Sequence, residues 1–179
     1  LGDVYKRQGL DIPTGGEVFL KGQALHSANE ELRAQIRGDY VGFIFQQFLL
    51  IPSLTAKENI MLPAELSNMP NAEEMAQELL EKVGLGQRGD HFPSQLSGGE
   101  QQRVAIARAF ITKPDILFAD EPTGNLDNQT GAQIENLLFE LHEQAGTTLV
   151  VVTHDPKLAE RCQRQVVMDN GHLTEQSPK

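Results

Sequence analysis

The chain has 179 residues, 39% of them apolar, and 25 acidic against 15 basic side chains give a formal net charge of −10. That length fits one domain with a sizeable core, and the acidic balance argues against a nucleic-acid partner or direct docking on anionic lipid. A single cysteine, Cys162, excludes an internal disulfide and a cysteine metal site, and it suits a reducing cytoplasm. No apolar run approaches the roughly 20 residues of a membrane span, so any membrane role has to come through a partner.

In chain order, Gly15-Gly16-Glu17-Val18-Phe19-Leu20 predicts a turn into a strand. Asn29 predicts the cap of a short helix through Arg37. Residues 41–45 read as a strand followed by an amide, Gln46; a lone glutamine there is equally a solvated loop residue. Residues 47–66 form a loop punctuated by prolines, then a short helix. From Ala72 to Val83 the apolar positions 72, 75, 76, 79, 80 and 83 keep a helical period, stopped by Gly84.

The run Leu96-Ser97-Gly98-Gly99-Glu100-Gln101-Gln102-Arg103 opens the next helix. Ser97 is placed to cap it, with Glu100 three residues on to complete a capping box. Two glycines let a ligand approach the backbone closely, and the first turn presents free N–H groups to an anion. Then Ile116-Leu117-Phe118-Ala119-Asp120-Glu121-Pro122 reads as a buried parallel strand ending in two carboxylates. Asp120 is placed to hold Mg²⁺ and Glu121 to orient or deprotonate a water, although a strand running into a solvated Asp-Glu turn reads the same way. Residues 130–145 repeat the helical period and end at Gly146. Thr147 to Val152 is a second β-branched strand, with His154 just beyond its end. Two such strands separated by a helix bring Glu121 and His154 to one sheet edge, the α/β arrangement that phosphoryl transfer needs, although a histidine after a strand taken alone is more often structural. Val166-Val167-Met168 with Asn170-Gly171 predicts a further strand and a hairpin turn. There are no internal repeats.

The run 96–103 resembles the signature motif of ATP-binding cassette (ABC) ATPases, and 116–122 resembles their Walker B strand. By that resemblance Asp120 is the magnesium residue and Glu121 the catalytic carboxylate. Thr123-Gly124-Asn125-Leu126-Asp127 resembles the D-loop, whose Asn125, Leu126 and Asp127 face the opposite nucleotide site of a dimer. His154 corresponds to the switch histidine on the γ-phosphate. Gln46, chosen over Gln47 because it directly follows the strand, corresponds to the Q-loop glutamine that reaches Mg²⁺ or the attacking water. The five motifs stand in family order between residue 9 and about residue 175. Residues 45–60 and 119–127 resemble the branch holding lipoprotein-releasing and macrolide-export ATPases. The wording is nearest to YbbA-type members, which pair with an FtsX-like permease.

The resemblance implies an α/β fold, a RecA-like P-loop NTPase core of parallel strands with an α-helical signature subdomain. Residues 47–112 would be that subdomain, 9–46 and 113–179 the core, and 1–8 unmatched. It implies ATP and Mg²⁺ as cofactors and a head-to-tail second ABC ATPase subunit, to whose ATP Ser97, Gly98, Gly99 and Glu100 are offered. It places the protein in the cytoplasm, peripheral to the inner membrane through the permease, with residues 48–66 as the permease-facing surface. One departure stands out: the chain has no G-x-x-x-x-G-K-[ST] loop, and Lys6 has no glycine loop before it. Gly9-Leu10-Asp11 matches only the end of the helix that follows such a loop. The expectation is therefore a single ABC ATPase domain, N-terminally incomplete, that binds ATP weakly in its own site. A non-hydrolysing subunit that only lends its signature is the alternative. A soluble ABC ATPase of DNA repair is disfavoured by the acidic charge and the absence of coiled-coil insertions.

Overall fold

The computed structural model describes residues 15–176; the unmatched start and Gly9-Leu10-Asp11 lie outside the described residues. A small hairpin comes first, β1 (Phe19–Leu20) and β2 (Gln23–Ala24), turning through Lys21 and Gly22, both at positive φ. Helix α1 (Glu30–Tyr40) starts where Asn29 accepts the Leu32 N–H. It runs three residues beyond the expected Arg37, while Glu30 pairs with Arg33 and Arg37 one and two turns on. The chain passes straight into β3 (Val41–Ile44), the Val41 N–H still bonding to Arg37 O.

Helices α2 (Ala56–Leu66), α3 (Ala72–Lys82) and α4 (Gly98–Phe110) fall between β3 and β4 (Ile116–Asp120). Thr55 and Glu58 form a capping box on α2, and Gly84 ends the α3 segment at φ +73°. Ala76 and Leu80 of α3 are fully buried, and so are Ile60 of α2 and Val104, Ile106 and Ala107 of α4. These side chains form one continuous core with Ile44, Leu117, Ile134 and Leu138.

Helix α5 (Asn128–Ala145) leads to β5 (Thr148–Val152), and the sheet is parallel in the order β3-β4-β5. Its register sets Ile44 beside Ala119 and Asp120 beside Val152, so the carboxyl ends of all three strands lie at one edge. Gly42 is a glycine for a steric reason: a Cβ there would stand 2.6 Å from Ala109 O and 2.8 Å from Leu117 Cδ1. The last turns of α4 can therefore lie directly on β3. After β5 a short helix unforeseen in the sequence, α6 (Pro156–Glu160), is capped by Asp155 with proline in its first turn. Strands β6 (Gln165–Asp169) and β7 (His172–Gln176) close the described chain as an antiparallel hairpin, paired with no other described strand. Val166, Val167, Met168 and Leu173 are exposed on it.

Candidate active site

Three loops leave the carboxyl edge of the sheet and meet there. Gln46 follows β3, Glu121 follows β4, and Thr153 and His154 follow β5. Glu121 extends the ladder by one bond, its N–H donating to Val152 O at 2.9 Å, and then turns sharply at φ +45°. A non-glycine residue in the left-handed region is strained and persists only where its surroundings hold it. Those holds are visible. The His154 N–H donates to Glu121 Oε1 at 2.9 Å, and His154 Nδ1 lies 2.7 Å from the same oxygen. The Thr153 hydroxyl donates to Oε2 at 3.3 Å, and the Gly124 N–H donates to Glu121 O at 3.1 Å. The carboxylate is thus aimed rather than free, while the His154 side chain remains 85% exposed. The hydrogen bond and charge of Glu121 raise the imidazole above its ordinary pKa.

Asp120, one residue earlier, is pushed the same way for a different reason. Burial comes first and the adjacent Glu121 second, and both raise its carboxyl above the usual range. A partly buried carboxylate beside a like charge is a place where a cation is welcome. Among the described residues no group of three or more His, Cys, Asp or Glu gathers around one point. An ion held at Asp120 would have one protein carboxylate, leaving most of its shell to other oxygens. That suits Mg²⁺, which keeps waters and nucleotide oxygens, better than an ion needing an all-protein cage.

Gln46, rather than Gln47, is the glutamine drawn into the cluster. Its Nε2 donates to Asn125 Oδ1 at 3.3 Å, and Asn125 Nδ2 returns a bond to Gln46 O at 2.8 Å. A Cβ on Gly124 would stand 2.9 Å from Gln46 Nε2, so the glutamine end would have to shift to admit it. Asp127 caps α5, accepting the N–H groups of Gln129 and Thr130 at 3.0 Å each, and the Thr130 bonds hold its carboxyl below the usual range. Leu126 is half-buried against the main core.

The signature residues make no hydrogen bond to Glu121 or His154 among the described residues. Ser97 and Glu100 close the capping box: Ser97 N–H donates to Glu100 Oε2 at 2.8 Å and Glu100 N–H to Ser97 Oγ at 3.3 Å. Those bonds, from the Ser97 amide first, lower the Glu100 pKa. Gly98 and Gly99 occupy the first helical turn, whose N–H groups have no acceptor inside the helix. Gly99 is tightly confined, since a Cβ would meet Thr130 Cγ2 at 2.6 Å.

Three contributors escaped the sequence reading. Thr153 holds Glu121 and also accepts the Asp155 N–H at 3.0 Å. Arg108 donates to Leu49 O at 2.7 Å and Phe48 O at 2.9 Å, fixing a loop in which Leu49 stands at φ +48°. Gln102 is fully buried in α4, its Nε2 donating to Pro122 O at 2.6 Å. Gln102 was detectable as the one polar side chain on the face shared with Ile106 and Ala109. Arg108 was not, because a basic residue late in a helix is also what the helix dipole favours. Beside the Arg108 loop runs a groove of about 450 Å³, lined by Arg37, Phe43, Phe45, Leu49, Leu66 and Arg108.

The geometry has close parallels. Residues 8–124 match the ABC transporter family. The chain is 58% identical over 171 residues to the uncharacterized ABC transporter ATP-binding protein YbbA of Escherichia coli K12, covering 94% of this chain and 75% of that protein. The chain belongs to the ABC transporter ATP-binding family. It is also 52% identical over 167 residues to the lipoprotein-releasing system ATP-binding protein LolD of Hydrogenovibrio crunogenus, covering 92% of this chain and 73% of LolD. A solved dimer of the ATP-binding cassette MJ0796, in a post-hydrolysis state bound to ADP and Pi, superposes with a TM-score of 0.88 at 40% identity. It covers 99% of this chain and 80% of that one. The expected branch and cassette fold are borne out. As an ABC family chain it has no described helix long and apolar enough to cross a membrane.

Proposed function

We propose that this chain is an ATP-hydrolysing subunit that works head-to-tail with a second ABC ATPase subunit and drives an FtsX-like permease. The observation that carries the reading is the grip of Thr153 and His154 on Glu121 at the sheet edge. Glu121 is the general base that orients the attacking water, His154 contacts the γ-phosphate, and Gln46 meets the water or the metal. Asp120 and Gln46 would hold Mg²⁺, which when bound neutralises charge on the phosphates. Ser97, Gly98, Gly99 and Glu100 are exposed or half-buried. They present a helix N-terminus to the nucleotide of the second subunit. Asn125, Leu126 and Asp127 form the turn at that subunit boundary. The groove beside Arg108 and residues 48–66 receive the permease, which keeps the protein at the cytoplasmic side of the inner membrane. Residues 47–112 act as the signature subdomain within a single ATPase domain.

No glycine-lysine phosphate loop occurs in the sequence. A loop-bearing second subunit forms one composite site with this chain, its loop facing the signature turn. ATP turnover should be measured for the chain alone, paired with such a subunit, paired as Ser97→Ala, and, for Glu121→Gln, in a chain joined ahead of Gly9 to the loop segment of a loop-bearing relative. The expected result is little turnover alone, clear turnover when paired, a loss on Ser97→Ala, and a loss of about 10²- to 10⁴-fold for Glu121→Gln in the joined chain. Turnover of the chain alone at the paired rate, or indifference to either substitution, overturns the proposal.

A further inference from the structure

Glutamine is a poor filler for an apolar core, yet Gln102 is 0% exposed among Val104, Ala105 and Ile106. Its Oε1 is buried with no hydrogen-bond partner among the described residues. A methionine or leucine would fill the same space without an orphaned acceptor. What Gln102 does that they cannot is donate from Nε2 to Pro122 O at 2.6 Å. Pro122 directly follows Glu121, the strained residue at φ +45°. The other holds on Glu121 come from β5, the loop beyond it, and its own turn. Among the described residues only the Gln102 bond reaches this loop from α4, whose N-terminus carries Ser97-Gly98-Gly99.

We propose that Gln102 is a positioning residue that links the signature turn of this chain to its own Glu121, making α4 a rigid lever between two sites. The proposal rests on the roles assigned above to the signature turn and to Glu121. Gln102 stands five residues beyond Ser97, about 7.5 Å along the helix axis. The N-terminal end of the lever is also seated firmly. Gly98 would place a Cβ 3.6 Å from Leu126 Cδ2, and Gly99 packs against Thr130. Both neighbours lie just downstream of Glu121. A shift of the first turn on meeting a phosphate is therefore passed to the Glu121 loop at Pro122. In this way occupancy of the second subunit's nucleotide is reported to Glu121.

The test is Gln102→Met, which keeps length and volume and removes only the amide. Thermal unfolding should stay near level, since the orphaned Oε1 goes while Pro122 O loses its donor. Amide hydrogen exchange across residues 121–126 should quicken about five- to tenfold, as loss of one hydrogen bond implies, with 104–110 unchanged. Ser97→Ala, which loosens the first turn of α4, should quicken exchange at 121–126 in the wild type and add nothing in the Gln102→Met background. In the chain joined to a loop segment, Gln102→Met should lower kcat and leave KM for ATP unchanged. Unaltered exchange at 121–126, or additive effects of the two substitutions, overturns the proposal. If Gln102→Met fails to fold, Gln102→Leu takes its place, and failure of both makes Gln102 a core residue only. Absence of ATP turnover in every form would sink the functional reading while the exchange measurements still decide the lever.

Discussion

Replacing Gly99 by alanine sets two effects of opposite sign against each other, and the structure says which wins. Gly99 is helical, with φ outside the left-handed region, so alanine is conformationally welcome and propensity favours it by up to about 1 kcal/mol. Against that, the new Cβ would stand 2.6 Å from Thr130 Cγ2, where ordinary contact begins near 3.4 Å. Thr130 is not free to turn away. It sits in the first turn of α5, bonded through side chain and backbone to Asp127. Overpacking at a fixed neighbour costs about 1–3 kcal/mol, so the net effect of Gly99→Ala is a loss of up to about 2 kcal/mol. At about 2–4 °C per kcal/mol for a chain of this size, Tm falls by several degrees. The deciding assay repeats the substitution in a Thr130→Ser background, which keeps the hydroxyl and removes the offending methyl. There the clash is gone and the propensity gain remains, so Gly99→Ala becomes neutral or stabilising in urea unfolding at constant m-value. The same destabilisation in both backgrounds would refute the steric account of Gly99.

Two further outcomes follow from the contacts around the site. The His154 imidazole, titrated by NMR, should ionise above its ordinary value of about 6.5, because its charged form is held by Glu121. The contact is then fully present below pH 6.5 and fades as pH rises through the elevated value; Glu121→Gln should return the titration to the ordinary range, and no difference between the two proteins refutes the contact. Arg108→Ala should cost about 2–3 kcal/mol in urea unfolding by stripping the carbonyls of Phe48 and Leu49 of a charged donor. Arg108→Lys should recover only part of it, because a single ammonium cannot reproduce the fork; full recovery would show that charge alone matters.

Much of this protein is written in short-range patterns. The period of 72–83 and of 130–145 reports which side each helix buries. The Ser97–Glu100 box spans three residues, so its geometry is set once the helix starts. The Thr55–Glu58 box and the Asp155-Pro156 start of α6 are patterns of the same short range. The identities of Gln46, Asp120, Glu121 and His154 as candidates also came from order along the chain. What the sequence alone could not decide is whatever joins distant segments. His154 meets Glu121 across 33 positions, Asn125 meets Gln46 across 79, and Arg108 reaches Leu49 across 59. Such pairs depend on the register of three parallel strands and on how closely α4 lies on β3, and no local propensity encodes either. Gly42 is a glycine because of that closeness, and Gly99 because α4 lies against Thr130 of α5, although neither sits in a left-handed turn. It is also why a buried glutamine in α4 ends at the carbonyl beside Glu121. Helix periods and caps are settled by neighbours three and four residues away, whereas the site is settled by where the packed core brings the strand ends.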